Sequence, residues 1–141
     1  ELRISDLSRF GTFVNEKLAT IILVKNTIGG DGTFDFDATG AGLPADIDLT
    51  TVVGTTSQTF SDLDPDNTYS VAETVPADWD LTSASCNNGD PIGSITPNAG
   101  EVITCTFVNT KHGKIIIEKQ TLPDGDPADF IFTGASRSQD C

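Results

Sequence analysis

Short stretches in which apolar and polar residues alternate recur along the whole chain. Phe34 and Phe36 alternate with Asp35 and Asp37, which is the period of two typical of a strand with one buried face. Clusters of Gly, Pro, Asn and Asp separate such stretches, and no sustained helical period is present. The predicted strands span residues 19–26, 33–38, 46–53, 57–60, 68–75, 79–86 and 102–109. About seven short strands predict an all-β fold, most naturally a sandwich of two sheets.

The end of the last predicted strand is nearly repeated close to the N-terminus. Residues 12–27 and 106–121 share 9 identities in 16 positions, at a constant offset of 94 residues. An ungapped match of this length indicates a tandem array of small domains. We therefore predict that residues 1–16 close a preceding repeat and that residues 17–111 form one complete repeat. Residues 112–141 are predicted to open a following repeat, with strands at 114–120 and 130–132.

The chain is strongly acidic, with a net charge of −13 and an isoelectric point near 4.1. This charge argues against nucleic acid and anionic membranes as partners. Of the 21 acidic residues 16 are Asp, mostly beside Gly, Pro or Asn, where Asp favours turns. No apolar run is long enough to span a membrane, so we expect no membrane insertion.

Three predicted strands each end their apolar face on a polar residue. Lys25, Glu73 and Asn109 lie in phase with the apolar residues that precede them. Burial of a Lys or a Glu is costly unless the charge meets a partner. The three side chains are therefore predicted to share one site in the core.

This site has two chemical interpretations. In the first, Lys25 and Glu73 form a buried ion pair, and Asn109 is a hydrogen-bonding neighbour. In the second, burial favours the neutral, nucleophilic amine of Lys25, while a protonated Glu73 polarises the side-chain carbonyl of Asn109. Attack of the amine would then expel ammonia and leave an amide between two side chains, with Glu73 as the proton shuttle.

Three motifs, in this order, resemble a known family. They are Ile-Leu-Val-Lys-Asn-Thr at 22–27, Tyr-Ser-Val-Ala-Glu-Thr at 69–74 and Phe-Val-Asn-Thr at 107–110. They are similar to the collagen-adhesin B-type repeats, the prealbumin-like domains of bacterial surface proteins and pilins. The resemblance covers residues 17–111 and implies an immunoglobulin-like β-sandwich.

The resemblance also implies a spontaneous intramolecular isopeptide bond from Lys25 to Asn109, with Glu73 as its catalyst. One departure is the turn before the Tyr, where the family usually has Pro-Gly and this chain has Pro-Asp-Asn-Thr at 65–68. Asn tolerates left-handed conformations, so the turn is expected to persist. Because Lys25 and Asn109 lie on the first and last strands, their bond would carry a pulling force past most of the domain, as a stalk requires.

The cysteines point to an oxidising compartment. Cys86 precedes the loop 87–100 and Cys105 follows it, so we predict a disulfide that pins this loop; two buried thiols are the alternative. A disulfide implies an extracellular setting. Cys141 has no counterpart one repeat earlier. It is free, pairs with another chain or belongs to a unit that continues further.

Candidates for metal binding or catalysis are few. Asp62, Asp64, Asp66 and Asn67 resemble a calcium loop, but the EF-hand pattern fails because its sixth-position Gly and twelfth-position Glu are missing. These Asp residues remain candidates only, and no metal or other cofactor is predicted. No Ser-His-Asp set, phosphate loop or zinc spacing is present, so we do not expect an enzyme with turnover.

The two end pieces lack their own partners. Asn15 would need a Lys from an upstream unit, and Lys119 would need an Asn downstream. Either the sequence is a window on a longer array, or successive subunits complete each other's strands into a filament.

We therefore expect a secreted, cell-surface stalk or filament module whose partners are neighbouring repeats or like subunits. The alternative is an adhesin-type binding module that recognises a glycan or matrix protein through its loops, with or without calcium. A hydrolase with paired carboxylates is disfavoured, because no acid pair falls in a plausible pocket.

Overall fold

The described part of the chain consists of strands and the loops that join them. The computed structural model describes residues 2–3 and 14–120. The strands are β1 Leu2–Arg3, β2 Val14–Asn15, β3 Ala19–Ile28, β4 Thr33–Thr39, β5 Asp46–Thr50, β6 Thr55–Leu63, β7 Ser70–Thr74, β8 Trp79–Cys86 and β9 Val102–Lys111. Within these described ranges there is no helix with the length and apolarity needed to span a membrane.

Strands β3 to β9 form a sandwich, so the predicted fold class is confirmed. One sheet has the order β6-β3-β9-β8 and the other the order β5-β4-β7, while β1 and β2 pair separately. Alternation along the strands builds the core, as on β4, where Phe34 and Phe36 are buried while Asp35 and Asp37 are exposed. Rings from both sheets interlock, since Phe36 meets Phe107 edge to face at 5.0 Å and Phe34 meets Trp79 at 5.1 Å.

The first and last strands of the sandwich, β3 and β9, lie side by side and run parallel. All other pairs within the two sheets are antiparallel. Both β3 and β9 therefore begin at one end of the sandwich, here called the proximal pole, and finish at the other, the distal pole. Loops 40–45, 64–69 and 87–101 lie at the proximal pole, and loops 29–32, 51–54 and 75–78 lie at the distal pole.

The connection between β5 and β6 differs from its prediction. The strand expected over 46–53 ends at Thr50, because Val53 and Gly54 turn the chain with positive φ angles of 55° and 82°. A bridge between Val52 and Thr55 closes this two-residue loop. Loops in which both central residues have positive φ are type I′ turns and favour Asn or Gly at the first position. Val53 is therefore an unusual occupant.

The strand predicted over 114–120 is not formed. Residues 112–120 have no regular structure and are exposed, among them Ile115 to Ile117 and Lys119. The equivalent strand, β3, bonds to β6 on one side and β9 on the other. Segments equivalent to those two partners would lie 94 residues further on, outside the 141 residues. A strand needs such partners for its backbone groups, so sequence similarity to β3 is not sufficient.

Several predictions fall on residues that the structure does not describe. These are residue 1, the part of the N-terminal piece over 4–13, the strand at 130–132 and Cys141. Asn15, the other half of the expected upstream pair, is exposed at the end of β2. The division of the chain into parts of three repeats stays a prediction.

Candidate functional site

Three of the residues singled out from the sequence meet between the two sheets. Lys25 on β3 and Asn109 on β9 project from the four-stranded sheet, and Glu73 on β7 projects from the facing sheet. Lys25 and Asn109 are 0% exposed, as is the side chain of Glu73. The parallel register pairs Thr27 with Asn109, so Lys25 and Asn109 are two residues apart along neighbouring strands and share the inner face.

Glu73 contacts both of the other groups. Its Oε2 lies 3.3 Å from Nζ of Lys25, and its Oε1 accepts a hydrogen bond from Nδ2 of Asn109. The single oxygen of the amide, Oδ1 of Asn109, is buried and has no hydrogen-bond partner among the described residues. The sequence-based interpretation had Glu73 against this carbonyl oxygen. In the structure Glu73 faces the amide nitrogen, which is the group that would leave as ammonia.

The ring of Phe34 lies against the amine of Lys25. Its Nζ lies 4.2 Å from the centroid of the Phe34 ring, a distance at which the ring face attracts a cation. Burial lowers the pKa of Lys25, and the charge and hydrogen bond of Glu73 oppose this change only in part. Sequence reasoning did not assign Phe34 to the site. Its alternation with Phe36 on β4 was the signal that it faces the core.

The arrangement combines a nucleophile, an acid–base group and an amide carbonyl in a site from which water is excluded. These are the components that amide formation requires. The same contacts also describe a buried ion pair with a hydrogen-bonded neighbour, in which the Lys25 charge is neutralised by Glu73. Geometry alone is compatible with both interpretations.

A disulfide joins Cys86 to Cys105, as predicted, so the alternative of two buried thiols is wrong. The two residues face each other on the antiparallel strands β8 and β9, with their Cα atoms 3.9 Å apart. The disulfide closes the long loop at the proximal pole. The chain-entropy model gives such a loop about 3 kcal/mol of stabilisation.

The acidic residues of the predicted calcium loop are arranged differently from the expectation. Asp64 and Asp66 approach Glu16, and carboxylate oxygens of these three residues lie within 4.8 Å of one another; Asp62 is not part of the group. Glu16 was missed because it lies far away in sequence, on the segment that precedes β3. Asp66 donates its backbone N–H to the Asp64 side chain, a common turn contact. An acidic turn cluster does not by itself make a metal site, and calcium binding stays untested.

A family profile described as a prealbumin-like fold domain of the SpaA type matches residues 21–111. The chain belongs to this SpaA-type family. The resemblance to collagen-adhesin B-type repeats is thereby confirmed as far as the prealbumin-like fold is concerned. SpaA-type domains are typical of surface proteins and are generally structural or adhesive, without catalytic activity. Searches of curated proteins and of solved structures each returned no match.

Proposed function

We propose that residues 17–111 are a mechanical module of an extracellular surface stalk or filament, closed by an isopeptide bond between Lys25 and Asn109. The observation that carries the proposal is the position of Glu73. Its two carboxylate oxygens contact the would-be nucleophile and the would-be leaving group, Lys25 Nζ at 3.3 Å and Asn109 Nδ2. A carboxylate placed in this way can move the proton that the reaction transfers.

The reaction forms one bond and breaks one. The neutral amine of Lys25 attacks the side-chain carbon of Asn109, and the bond from that carbon to Nδ2 breaks. Glu73 accepts a proton from Nζ at Oε2, and the resulting carboxyl group turns and gives this proton to Nδ2, so the carboxylate is regenerated and ammonia leaves. An amine and a primary amide become a secondary amide and ammonia, and no oxidant or cofactor is needed. Each molecule reacts once, so this is self-modification without turnover.

Burial supports the chemistry in two ways. It lowers the pKa of Lys25, which increases the fraction of neutral amine at neutral pH. It also keeps water, the competing nucleophile, away from the Asn109 carbonyl.

The parallel arrangement of β3 and β9 supports the mechanical role. A pulling force would enter at the proximal pole through β3 and leave at the distal pole through β9. A bond between Lys25 and Asn109 would pass the force directly from one strand to the other. Residues 26–108, including the disulfide, would then not be extended. The disulfide is also consistent with the extracellular location.

The test is the intact mass of the purified chain after full reduction. We expect a mass that is one ammonia molecule below the sequence value, and a cross-linked peptide containing Lys25 and Asn109 after proteolysis. Glu73→Ala should restore the full mass. Glu118→Ala is the matched control, because Glu118 is exposed outside the sandwich and its loss should leave the bond in place. A reduced wild-type mass equal to the sequence value would leave the ion pair as the role of this site.

The adhesin-type alternative would lead if the mass test failed. Neighbouring repeats or like subunits are the partners of the mechanical module, whereas the adhesin would bind soluble glycan or matrix protein. Affinity that requires calcium would point to Glu16, Asp64 and Asp66.

A further inference from the structure

Exposed apolar side chains gather at the distal pole of the sandwich. Val53 is 91% exposed, Val52 68% and Ile28 58%. The backbone N–H of Thr27 donates to the carbonyl of Gly54 at 2.8 Å, so the turn between β5 and β6 lies beside the end of β3. Ile28, Val52 and Val53 therefore form one surface, here called the distal patch.

Val53 has a backbone conformation that is unfavourable for valine. Its φ of 55° lies in the left-handed region, where a β-branched side chain is crowded. The carboxylate of Asp31 stabilises the turn by accepting the backbone N–H groups of Val53 at 3.0 Å and Gly54 at 2.7 Å. Asn at position 53 would relieve the strain and remove the most exposed apolar side chain of the distal patch. Strain and exposed apolar side chains at one position are features of an interaction surface.

We infer that the distal patch packs against the proximal pole of the following repeat in the same chain. The docking rests on the tandem array of the proposed function, and it does not depend on the isopeptide bond. The chain leaves the sandwich at this pole, because β9 ends at Lys111. The offset of 94 makes residue 113 equivalent to Ala19, the first residue of β3. In a tandem array only His112 would separate β9 from the first strand of the following sandwich, so consecutive sandwiches would touch.

Basic side chains of the exit segment face acidic side chains across such a junction. The chain leaves the distal pole through Lys111 and Lys114, both exposed. The proximal pole carries Asp62, Asp64 and Asp66 at the end of β6 and in the turn that follows. The exit segment therefore brings two Lys side chains towards an acidic pole, although Asp31 and Asp78 lie in the distal loops as well.

The residue that precedes β3 at the position equivalent to the exit of β9 contacts the proximal pole. Lys17 is the equivalent of Lys111 at the offset of 94. Its carbonyl accepts the N–H of Gly100 at 2.8 Å. The side chain of Lys17 covers Gly100 closely, since a β-carbon there would lie 3.0 Å from Lys17 Cδ. The residues that join two repeats are therefore packed on the sandwich that follows them, and they do not act as a free linker.

The experiment uses a two-repeat chain in which residues 1–111 are joined to residues 18–141. Lys111 is then followed by Leu18, as Lys17 is in the natural sequence, and both sandwiches are complete. Residual dipolar couplings measured by NMR report whether the two repeats share one alignment tensor. We expect a shared tensor for the wild type, and two different tensors when Val53→Asn is introduced in the first repeat.

Two controls separate docking from folding. In the single-repeat chain Val53→Asn should melt at the same temperature or higher, because Asn adopts the left-handed conformation more readily. Leu81→Asn changes an exposed Leu on the edge strand β8 and should leave the shared tensor unchanged. The docking would be overturned if the two wild-type repeats had different tensors, or if the repeats still shared one tensor after Val53→Asn. It would also be overturned if Leu81→Asn separated the tensors as much as Val53→Asn does. The mass test is independent, so repeats that are coupled but have lost no ammonia would overturn only the isopeptide bond.

Discussion

Loss of the proposed crosslink should destabilise the sandwich by an amount that is set by the size of the closed loop. Lys25 lies 48 residues before Glu73 and Asn109 lies 36 residues after it, so the crosslink would close a loop of 84 residues. For a loop of this size the chain-entropy model gives about 4.5 kcal/mol of stabilisation. Asn109→Ala prevents the bond but leaves Lys25 paired with Glu73, so neither buried charge loses its ionic partner. For a domain of this size the melting temperature should fall by roughly 20–35 °C.

Thermal unfolding followed by circular dichroism, with the disulfide intact in all samples, measures this effect. Asn109→Ala also removes a hydrogen bond to Glu73, so its local cost must be separated from the loss of the bond. Lys25→Arg supplies the background for that comparison, because a guanidinium keeps the charge and is not a nucleophile. Asn109→Ala should cost far less in the Lys25→Arg chain than in the wild type. Equal costs in the two backgrounds would refute the reasoning.

Two other predictions concern the disulfide and the turn between β5 and β6. Replacing Cys86 and Cys105 together by Ser should lower the free energy of unfolding by about 3 kcal/mol. In urea unfolding, reductant should lower the midpoint of the wild type but not that of the double variant. A wild-type midpoint that reductant leaves unchanged would contradict this. Hydrogen bonds from the backbone of Gly54, and then of Val53, hold the pKa of Asp31 below its ordinary value of 3.8. Its contribution to stability is therefore complete above that pH and is lost as the pH falls through the folded-state pKa. Urea unfolding should find the wild type more stable than Asp31→Asn near neutral pH, with the gap closing in acid, whereas parallel pH profiles would exclude this role.

Local pattern was sufficient to predict most strands, because a strand places successive side chains on opposite faces whatever it pairs with. The strand over 79–86 has the predicted bounds, and the in-phase positions of Lys25 and Asn109 are buried as expected. Prediction failed at Val53, where a residue that favours strands occupies a turn. The carboxylate of Asp31, which stabilises that turn, comes from a different loop.

The candidate site was predictable as a set of residues but not as a geometry. Phase along each strand indicated that Lys25, Glu73 and Asn109 face inward. It did not indicate that Glu73 comes from the opposite sheet, or that its oxygens contact Nζ and Nδ2. Those contacts depend on how two sheets stack, which involves residues 36 to 48 positions apart. The contact of the Phe34 ring with Lys25 also depends on how the two sheets stack.

The sequence by itself determined the all-β class, the buried faces of the strands and the cysteines that form the disulfide. Each of these follows from the alternation or spacing of residues along one stretch of chain. Only the tertiary structure decided the parallel pairing of β3 with β9 and the poles that it defines. These two strands lie far apart in sequence, and a parallel pair needs a long connection between its strands. The tertiary structure also decided that the Ile-rich segment at 114–120, so similar to β3, is not a strand among the described residues, because a strand is formed by its partners as much as by its own side chains.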